Sequence, residues 1–282
     1  MNFELTLDLP ALAPGLTCDA DGIWRARVRR AIDYPDEANA FCFAVEEQSF
    51  WFNYRNRFIV EAVTQFPPAG PIADIGAGNG FVSRGLERAG FRTWVIEPGP
   101  AGAANAKTRG LDPVICATLS DAGFLPQTLD AAGLFDVVEH IADDREFLAT
   151  ARRLLKPGGR LYVTVPAFQG LWSSEDELVG HHRRYSIPTL TACLEACGFT
   201  VDYTTYLFAP LALPLFLLRT LPSRLGRRTT LDPARTAAEL KPPSGLAIRA
   251  INALLDREGA RIRQRRTIPF GTSCLAVARA NP

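Results

Sequence analysis

The sequence predicts an α/β fold built on a doubly wound, mainly parallel sheet. Three observations carry this. Short apolar runs alternate with amphipathic helical segments from residue 71 to residue 207, the pattern of strands connected by crossover helices. The glycine-rich stretch "ADIGAGNG", 73–80, lies between one such run and one such helix, at the strand ends where sheets of this kind bind ligands. A further strand-like run, "TSCLAVARA", 272–280, returns near the end of the sequence.

The elements follow in order. Residues 1–36 mix apolar and charged side chains without a period and read as an irregular lead-in. Residues 35–66 read as one long helix capped by Asp36, with apolar residues at 41, 45, 52, 58, 59 and 63, ended by Pro67, Pro68 and Gly70. "PIADIG" is a strand and "NGFVSRGLERAG" a helix closed by Gly90. "FRTWVIE" is a strand, "PAGAANAKTRG" a short helix, "PVICA" a strand, and "LDAAGLFDVV" contains the fourth strand. "DDREFLATARRLL" is a helix starting at Asp143 or Asp144, stopped by Pro157, Gly158 and Gly159. "RLYVTVPA" is the fifth strand. "SIPTLTACLEACGF" is a helix with Ser186 as N-cap, Pro188 in its first turn and Gly198 past its end. "TVDYTTYLF" and "TSCLAVARA" are the last two strands, which makes seven.

The organisation is then an N-terminal extension and helical lid (1–66), an α/β core (67–207), a helical cap insertion (208–271) and a final core strand (272–282). The insertion opens with the apolar run "LFAPLALPLFLL", which is too short to span a bilayer and is interrupted by Pro210 and Pro214. A basic linker follows (Arg219, Arg224, Arg227, Arg228), then an amphipathic helix over 244–266 with apolar positions 248, 251, 254, 255 and 262 and an arginine-rich polar side. The insertion is read either as a cap over an acceptor pocket or as a peripheral contact with an anionic membrane.

A net charge of +1 gives no electrostatic case for nucleic acid. The six cysteines (18, 42, 116, 193, 197, 274) form no CxxC pair and read as reduced core residues of a cytoplasmic protein. The first fifteen residues lack the basic start and apolar run of a signal peptide.

The glycine loop has the form GxGxG at Gly76, Ala77, Gly78 and Gly80, with Phe81 where the dinucleotide fingerprint requires a sixth-position glycine. Asp74 precedes it on the strand, where a carboxylate can face a ligand's ammonium group. Glu97 ends the next strand, ahead of Pro98, placed to accept hydrogen bonds from ribose hydroxyls.

"ADIGAGNGF", the acid in "VIEPG", "FDVVEHI" and "LLKPGGRLYVTVPA" together resemble the successive motifs of class I S-adenosyl-L-methionine (SAM)-dependent methyltransferases. The resemblance covers about 70–207 and the final strand, and implies a Rossmann-like sheet of seven strands whose last runs antiparallel. It also implies that the glycine loop and Asp74 contact the methionine part of SAM, that Glu97 holds the ribose, and that Thr118 and Leu119, with Asp121 nearby, border the adenine. A subgroup of bacterial members is similar in "GHHRRY", "WFNYRNRFI" and "IPFGTS".

Methyl transfer needs an aligned nucleophile, exclusion of water and sometimes a base. Asp136, Glu139 and His140 cluster after the fourth strand. They read as a general base (His140), as a divalent-metal site, or as a loop that caps the next helix. A similar Glu-x-x-Glu-His stretch serves a metal in the ubiquinone-pathway O-methyltransferases, but Asp136 stands at its first position here, and no metal is assigned. "GHHRRY" reads as an acceptor site, with His181 or His182 as base, Arg183 or Arg184 as an anchor for a carboxylate or phosphate, and Tyr185 as a wall or donor. The alternative is a solvated charge run. In "SFWFNYRNRF", Trp51, Phe52 and Tyr54 are expected to line the site as a lid, with Arg55 or Arg57 near ligand carboxylates. No Asn/Asp-Pro-Pro-Tyr tetrad follows the fourth strand, which argues against methylation of nucleic-acid bases.

The expected activity is methylation, at oxygen, of a small or lipid-linked, anionic acceptor. The alternative is a SAM-binding partner or regulatory module without transfer, which would have no need of the polar set at 139–140 and 181–185.

Overall fold

The computed structural model describes residues 9–27, 43–226 and 246–282. In chain order the elements are α1 (Leu9–Leu12), β1 (Leu16–Cys18), β2 (Ile23–Ala26), α2 (Phe50–Gln65), β3 (Ile72–Ile75), α3 (Phe81–Arg88), β4 (Thr93–Ile96), α4 (Pro100–Thr108), β5 (Val114–Cys116) and β6 (Leu129–Phe135). They continue with α5 (Asp144–Leu154), β7 (Leu155–Pro166), α6 (Ser174–Leu178), α7 (Ile187–Ala196), β8 (Phe199–Leu207), α8 (Ala212–Leu215), α9 (Leu221–Arg224), α10 (Leu246–Arg263) and β9 (Ser273–Ala280).

Successive residues of a strand face opposite sides of a sheet, and the central strands here are apolar on both. β3 and β4 are buried at every position. Ala73, Ile75, Trp94 and Ile96 share one core with Leu148 and Ala151 of α5 and Leu190 and Leu194 of α7. Ile72 belongs to another core, with Phe58, Ile59, Val63, Leu86, Leu255 and Ile262 from α2, α3 and α10. Helices therefore cover both faces, as a parallel sheet requires.

The nine-stranded sheet runs β1-β2-β5-β4-β3-β6-β7-β9-β8. β2, β5, β4, β3, β6 and β7 are mutually parallel, and β9 lies antiparallel between β7 and β8. The sequence predicts seven of these strands. The two additions, β1 and β2, come from the stretch read as an irregular lead-in. They are only three and four residues long, too short to display a period, and pairing of Ile23–Arg25 with β5 is what places them. The cysteines also depart from expectation in part: Cys116, Cys193 and Cys274 are buried, but Cys18 is exposed on β1.

The single helix expected over 35–66 is interrupted: residues 43–45 are helical, 46–49 are not, and α2 begins at Phe50. Ser49 is its N-cap, in an extended conformation, with its side chain accepting from Phe52 N–H. The proposed cap Asp36 and residues 35–42, like Cys42, Arg227 and Arg228, lie outside the described residues. Other caps match the sequence reading: Asp143 starts α5, and Ser186 starts α7 with Thr189 completing a reciprocal pair.

The insertion packs onto α2 and onto the end of β8. Leu255 and Ile262 of α10 are fully buried. Arg57 pairs with Asp256 at 2.5 Å, and Arg263 pairs with Glu61. Glu258, 5% exposed, accepts the N–H groups of Phe208 and Ala209 at 2.7 and 2.8 Å. Helical turns continue through the apolar run despite its prolines, from Ala209–Leu211 through α8, a π-helical Phe216–Thr220 and α9. Pro214 is the third residue of α8, where a backbone N–H has no intrahelical acceptor, so its loss costs little.

If α10 is integral to this core, Leu255→Ala should lower the unfolding free energy by about 2–5 kcal/mol in urea titration. The neighbouring Leu254→Ala, at a position 44% exposed, should stay within about 0.5 kcal/mol.

Candidate active site

Because β3, β4, β5, β6 and β7 are parallel, their carboxyl ends form one edge, and the loops leaving them meet there. Gly76, Gly78 and Gly80 all have positive φ (70°, 54° and 72°). At Gly76 a side chain is also excluded by space, since a Cβ would lie 2.8 Å from Val137 Cγ2. The loop is fastened by Glu97 at the end of β4. Its carboxylate, 6% exposed, accepts Gly78 N–H and Gly99 N–H, each at 2.7 Å. Gly102 on α4 leaves room for this arrangement, as a Cβ would approach both Glu97 Cγ and Gly78 O to 2.9 Å.

Asp74 is 1% exposed. Burial pushes its pKa up to about 6, against a hydrogen bond from Ser83 that measures 2.6 Å. The sequence reading puts it opposite a ligand's ammonium group; here its carboxylate is engaged by Ser83 and ties β3 to α3. Ala77 and Pro98 are half-buried beside the loop. Thr118 and Leu119 follow β5. Thr118 Oγ1 accepts Asp121 N–H at 3.0 Å, and Leu119 is buried at 4% exposure in the core that holds Trp94 and Phe124.

Asp136 follows β6 at φ 57°. Arg55, buried on α2, donates to Phe135 O at 2.7 Å and pairs with Asp136 at 2.5 Å. Thr164 Oγ1 donates to the other oxygen of Asp136 at 3.1 Å. The expectation that Arg55 or Arg57 meets ligand carboxylates is corrected: Arg55 serves Asp136, and Arg57 serves Asp256 and Glu61. Tyr54 likewise faces α10, reaching Asp256 at 3.3 Å, because α10 packs over that side of α2. Trp51 stacks on Phe208, with centroids 5.9 Å apart, and beneath the Arg55 guanidinium.

Three functional side chains do converge. Glu139, His140 and His181 place one ligating atom each within 4.8 Å of one another. Glu139 is 0% exposed, and neither of its carboxylate oxygens has a hydrogen-bond partner among the described residues. Burial and the nearby Asp136 hold its pKa well above the usual carboxylate range. The His140 and His181 rings meet edge to face at 4.7 Å. Burial, then His181, lowers the His140 pKa to about 4, so its imidazole is neutral at pH 7 and a weak proton acceptor.

His181 is oriented by Asp176, whose Oδ1 lies 2.9 Å from Nδ1. Asp176 is 1% exposed and also receives Arg184 through two bonds, at 2.8 and 3.0 Å. Burial alone would raise the Asp176 pKa, yet the His181 and Arg184 bonds hold it below the ordinary value. Arg183 pairs with Asp144 at 2.8 Å, and Tyr185, 4% exposed, donates to the same carboxylate at 2.6 Å. The donors read as substrate anchors thus meet carboxylates of the protein and lock the loop onto α5 and α6. His182 is exposed, and its backbone N–H donates to Glu139 O at 2.8 Å.

Sequence reasoning missed Glu46 and Asn79. Glu46 pairs with Arg109 at 2.9 Å and accepts from Asn79 at 3.3 Å, joining the segment before α2 to the glycine loop. Asn79 stands inside the glycine motif, between Gly78 and Gly80, but carries no spacing signal of its own, and Glu46 stands in no spaced motif.

The residues at this edge fit a nucleoside with an amino-acid tail: backbone free of side chains along the glycine loop, and a buried carboxylate ending each of two adjacent strands. A metal held by Asp136 in the manner of the Glu-x-x-Glu-His stretch does not fit, since both Asp136 oxygens are engaged. A cation held by Glu139, His140 and His181 does fit, because the Glu139 carboxylate is buried with no hydrogen-bond partner among the described residues.

Asp74 has a folded pKa above its unfolded value of 3.8, so it favours the folded state most below pH 4 and loses that contribution as pH rises through about 6. Asp74→Asn should remove this decline: the wild-type-minus-variant difference in unfolding free energy should fall between pH 4 and 6 and be flat above, read by urea titration at each pH.

A family profile described as "Methyltransferase domain" matches residues 46–204, over half of the chain. Ubiquinone biosynthesis O-methyltransferase of Caulobacter vibrioides is 36% identical over 103 residues, which cover 33% of this chain and 39% of that protein. The mitochondrial ubiquinone biosynthesis O-methyltransferase of Schizosaccharomyces pombe is 32% identical over 100 residues, covering 33% and 36%. The chain thus spans well under half the length of these relatives. A SAM-dependent methyltransferase from Thermotoga maritima shares the fold, with a TM-score of 0.54 at 18% identity over 87% of this chain and 95% of that one. The chain belongs to the methyltransferase-domain family.

Proposed function

We propose that this chain is a SAM-dependent methyltransferase acting on an oxygen of a small or lipid-linked acceptor. One observation carries the reading beside the family match. The glycine loop, Glu97 and the Glu139–His140–His181 cluster stand together at the carboxyl edge of β3, β4 and β6. A protein that only bound SAM would have no use for the cluster. The anionic character expected of the acceptor loses its support, because Arg183 and Arg184 are paired with Asp144 and Asp176.

Bound SAM supplies a methyl group activated by its sulfonium. Gly76, Ala77, Gly78 and Gly80 offer backbone to the amino-acid tail. A carboxylate has about four acceptor positions, so Glu97 holds the loop N–H groups and ribose hydroxyls together. Pro98, Thr118 and Leu119 would border the base. With SAM bound, its methyl carbon would be open to an acceptor oxygen, and the Glu139–His140–His181 cluster, in which Asp176 orients His181, stands where that oxygen would lose its proton. Alignment of the two substrates is worth about 7–11 kcal/mol, more than the roughly 10²–10⁴-fold of proton transfer, so positioning dominates.

Lipid access is supported by the helical segment after β8. Leu213, Leu218 and Leu225 are 65, 70 and 75% exposed. The segment is also bonded to the loop that carries Asp176, through Thr220 to Leu171 O and Ser174 N–H to Ser223. Its arginines are spent inward, Arg219 on Glu175 and Arg224 on Gly170 O, so the contact is apolar before it is basic. No helix among the described residues is long and apolar enough to cross a membrane.

Transfer of labelled methyl from SAM into lipid and aqueous cell extracts should yield S-adenosylhomocysteine. Glu97→Ala should weaken SAM binding at least about tenfold by calorimetry, whereas His181→Ala should keep SAM affinity and cut turnover by about 10². No turnover, or unchanged affinity in Glu97→Ala, would end the reading. Separately, the protein should float with liposomes at low salt, and the double variant Leu218→Asp, Leu225→Asp should stay in the dense fraction. Failure of the unsubstituted protein to float removes the membrane contact.

A further inference from the structure

We propose that Glu139, His140 and His181 bind one divalent transition-metal ion, with His181 standing in for the acidic first position of the Glu-x-x-Glu-His pattern. The inference deepens the reading of this edge as the acceptor side of a methyltransferase, and rests on that reading only for what the ion does, not for its binding.

Three separate features point to a cation. First, Glu139 is fully buried, and neither of its oxygens has a hydrogen-bond partner among the described residues. A buried carboxyl so placed stays protonated unless a positive partner reaches it, and the two imidazoles beside it make a directly bound cation that partner. Second, the ligating atoms of the three residues already lie within 4.8 Å of one another. Ligands about 2.1 Å from a tetrahedral metal are about 3.4 Å apart, so modest side-chain rotation closes the set. Third, one of the two imidazoles has the supporting carboxylate that metal-bound histidines use. Asp176 engages His181 Nδ1 at 2.9 Å, which leaves Nε2 to ligate, and Arg184 fixes Asp176 in turn. The His140 ring is packed edge to face against that of His181, with centroids 4.7 Å apart. His182 N–H, on Glu139 O at 2.8 Å, clamps the two ligand-bearing loops together.

The ligand set names the metal class. Two imidazoles and one carboxylate suit zinc, iron, cobalt or nickel, whereas magnesium and calcium take oxygen. Asp136 is excluded from the set, since Arg55 and Thr164 hold its two oxygens. Three protein ligands leave at least one position for an acceptor oxygen, which would then lose its proton at a lower pH.

The test uses the full chain, stripped with a chelator and titrated with Zn²⁺ against a chromophoric competitor, then with Co²⁺ read by visible absorption. One equivalent of each should bind, Co²⁺ giving visible bands of a four- or five-coordinate site. Glu139→Gln and His181→Ala should each weaken Zn²⁺ at least about tenfold, and Asp176→Asn by about 10–100-fold. Asp136→Asn should leave Zn²⁺ affinity within about threefold. SAM calorimetry on each variant reports that it is folded. No stoichiometric uptake by the unsubstituted protein, or uptake indifferent to Glu139 and His181 (an adventitious ion only), overturns the proposal. So does uptake of Mg²⁺ in preference to Zn²⁺ with sensitivity to Asp136→Asn, which would restore the oxygen-rich pattern. Absence of SAM binding by the unsubstituted protein would instead defeat the methyltransferase reading and leave the metal titration intact.

Discussion

The Asp176 carboxylate organises the acceptor side of the molecule. It is almost wholly buried, a position that a charge tolerates only when paired and hydrogen-bonded. Here it accepts from Arg184 twice, meets His181 Nδ1, and accepts Ser173 N–H at 2.9 Å to cap α6. One side chain therefore sets the start of a helix, the orientation of a histidine and the path of the chain between β7 and α7. The Tyr185 bridge to Ala167 then carries that path back onto the sheet. Removing one partner of such a buried pair costs about 3–5 kcal/mol, which is why "GHHRRY" can hold a fixed shape without secondary structure of its own.

The same device recurs along the edge. Glu97 holds the glycine loop, Asp136 is clasped between Arg55 and Thr164, and Asp144 receives Arg183 and Tyr185. Each loop is fastened by a carboxylate, at a strand end for Glu97 and Asp136 and at the start of α5 for Asp144. The result is a rigid rim around Glu139, of whose carboxylate neither oxygen has a hydrogen-bond partner among the described residues. A fixed rim around a carboxyl left without a bond is the arrangement that a preorganised binding site needs.

Much of the core was legible in the sequence because strands and crossover helices advertise themselves by period. β3 to β9 and α3, α4, α5, α7 and α10 fall where alternation and capping residues put them. The failures are local. Three- and four-residue strands have no period, so β1 and β2 were hidden in the lead-in. Ser49 breaks a helical pattern that hydrophobic spacing alone runs straight through. Prolines in the apolar run read as breaks, whereas at least Pro214 sits where a helix has no need of the missing N–H.

At the site, the sequence by itself determined which residue types stand at which strand ends: a glycine loop after β3, an acid after β4, Asp-x-x-Glu-His after β6 and a basic histidine pair after β7. These are one-dimensional facts, set by order along the chain. Only the tertiary structure decided who meets whom. Arg183, Arg184 and Tyr185 look like ligand anchors until Asp144 and Asp176, 41 and 8 residues away, take their donors. His181 looks like any loop histidine until the sheet brings it against His140. Charge and hydrogen-bonding capacity are properties of a residue, but whether they are spent within the protein or left for a ligand depends on partners distant in sequence, and those are assigned by folding.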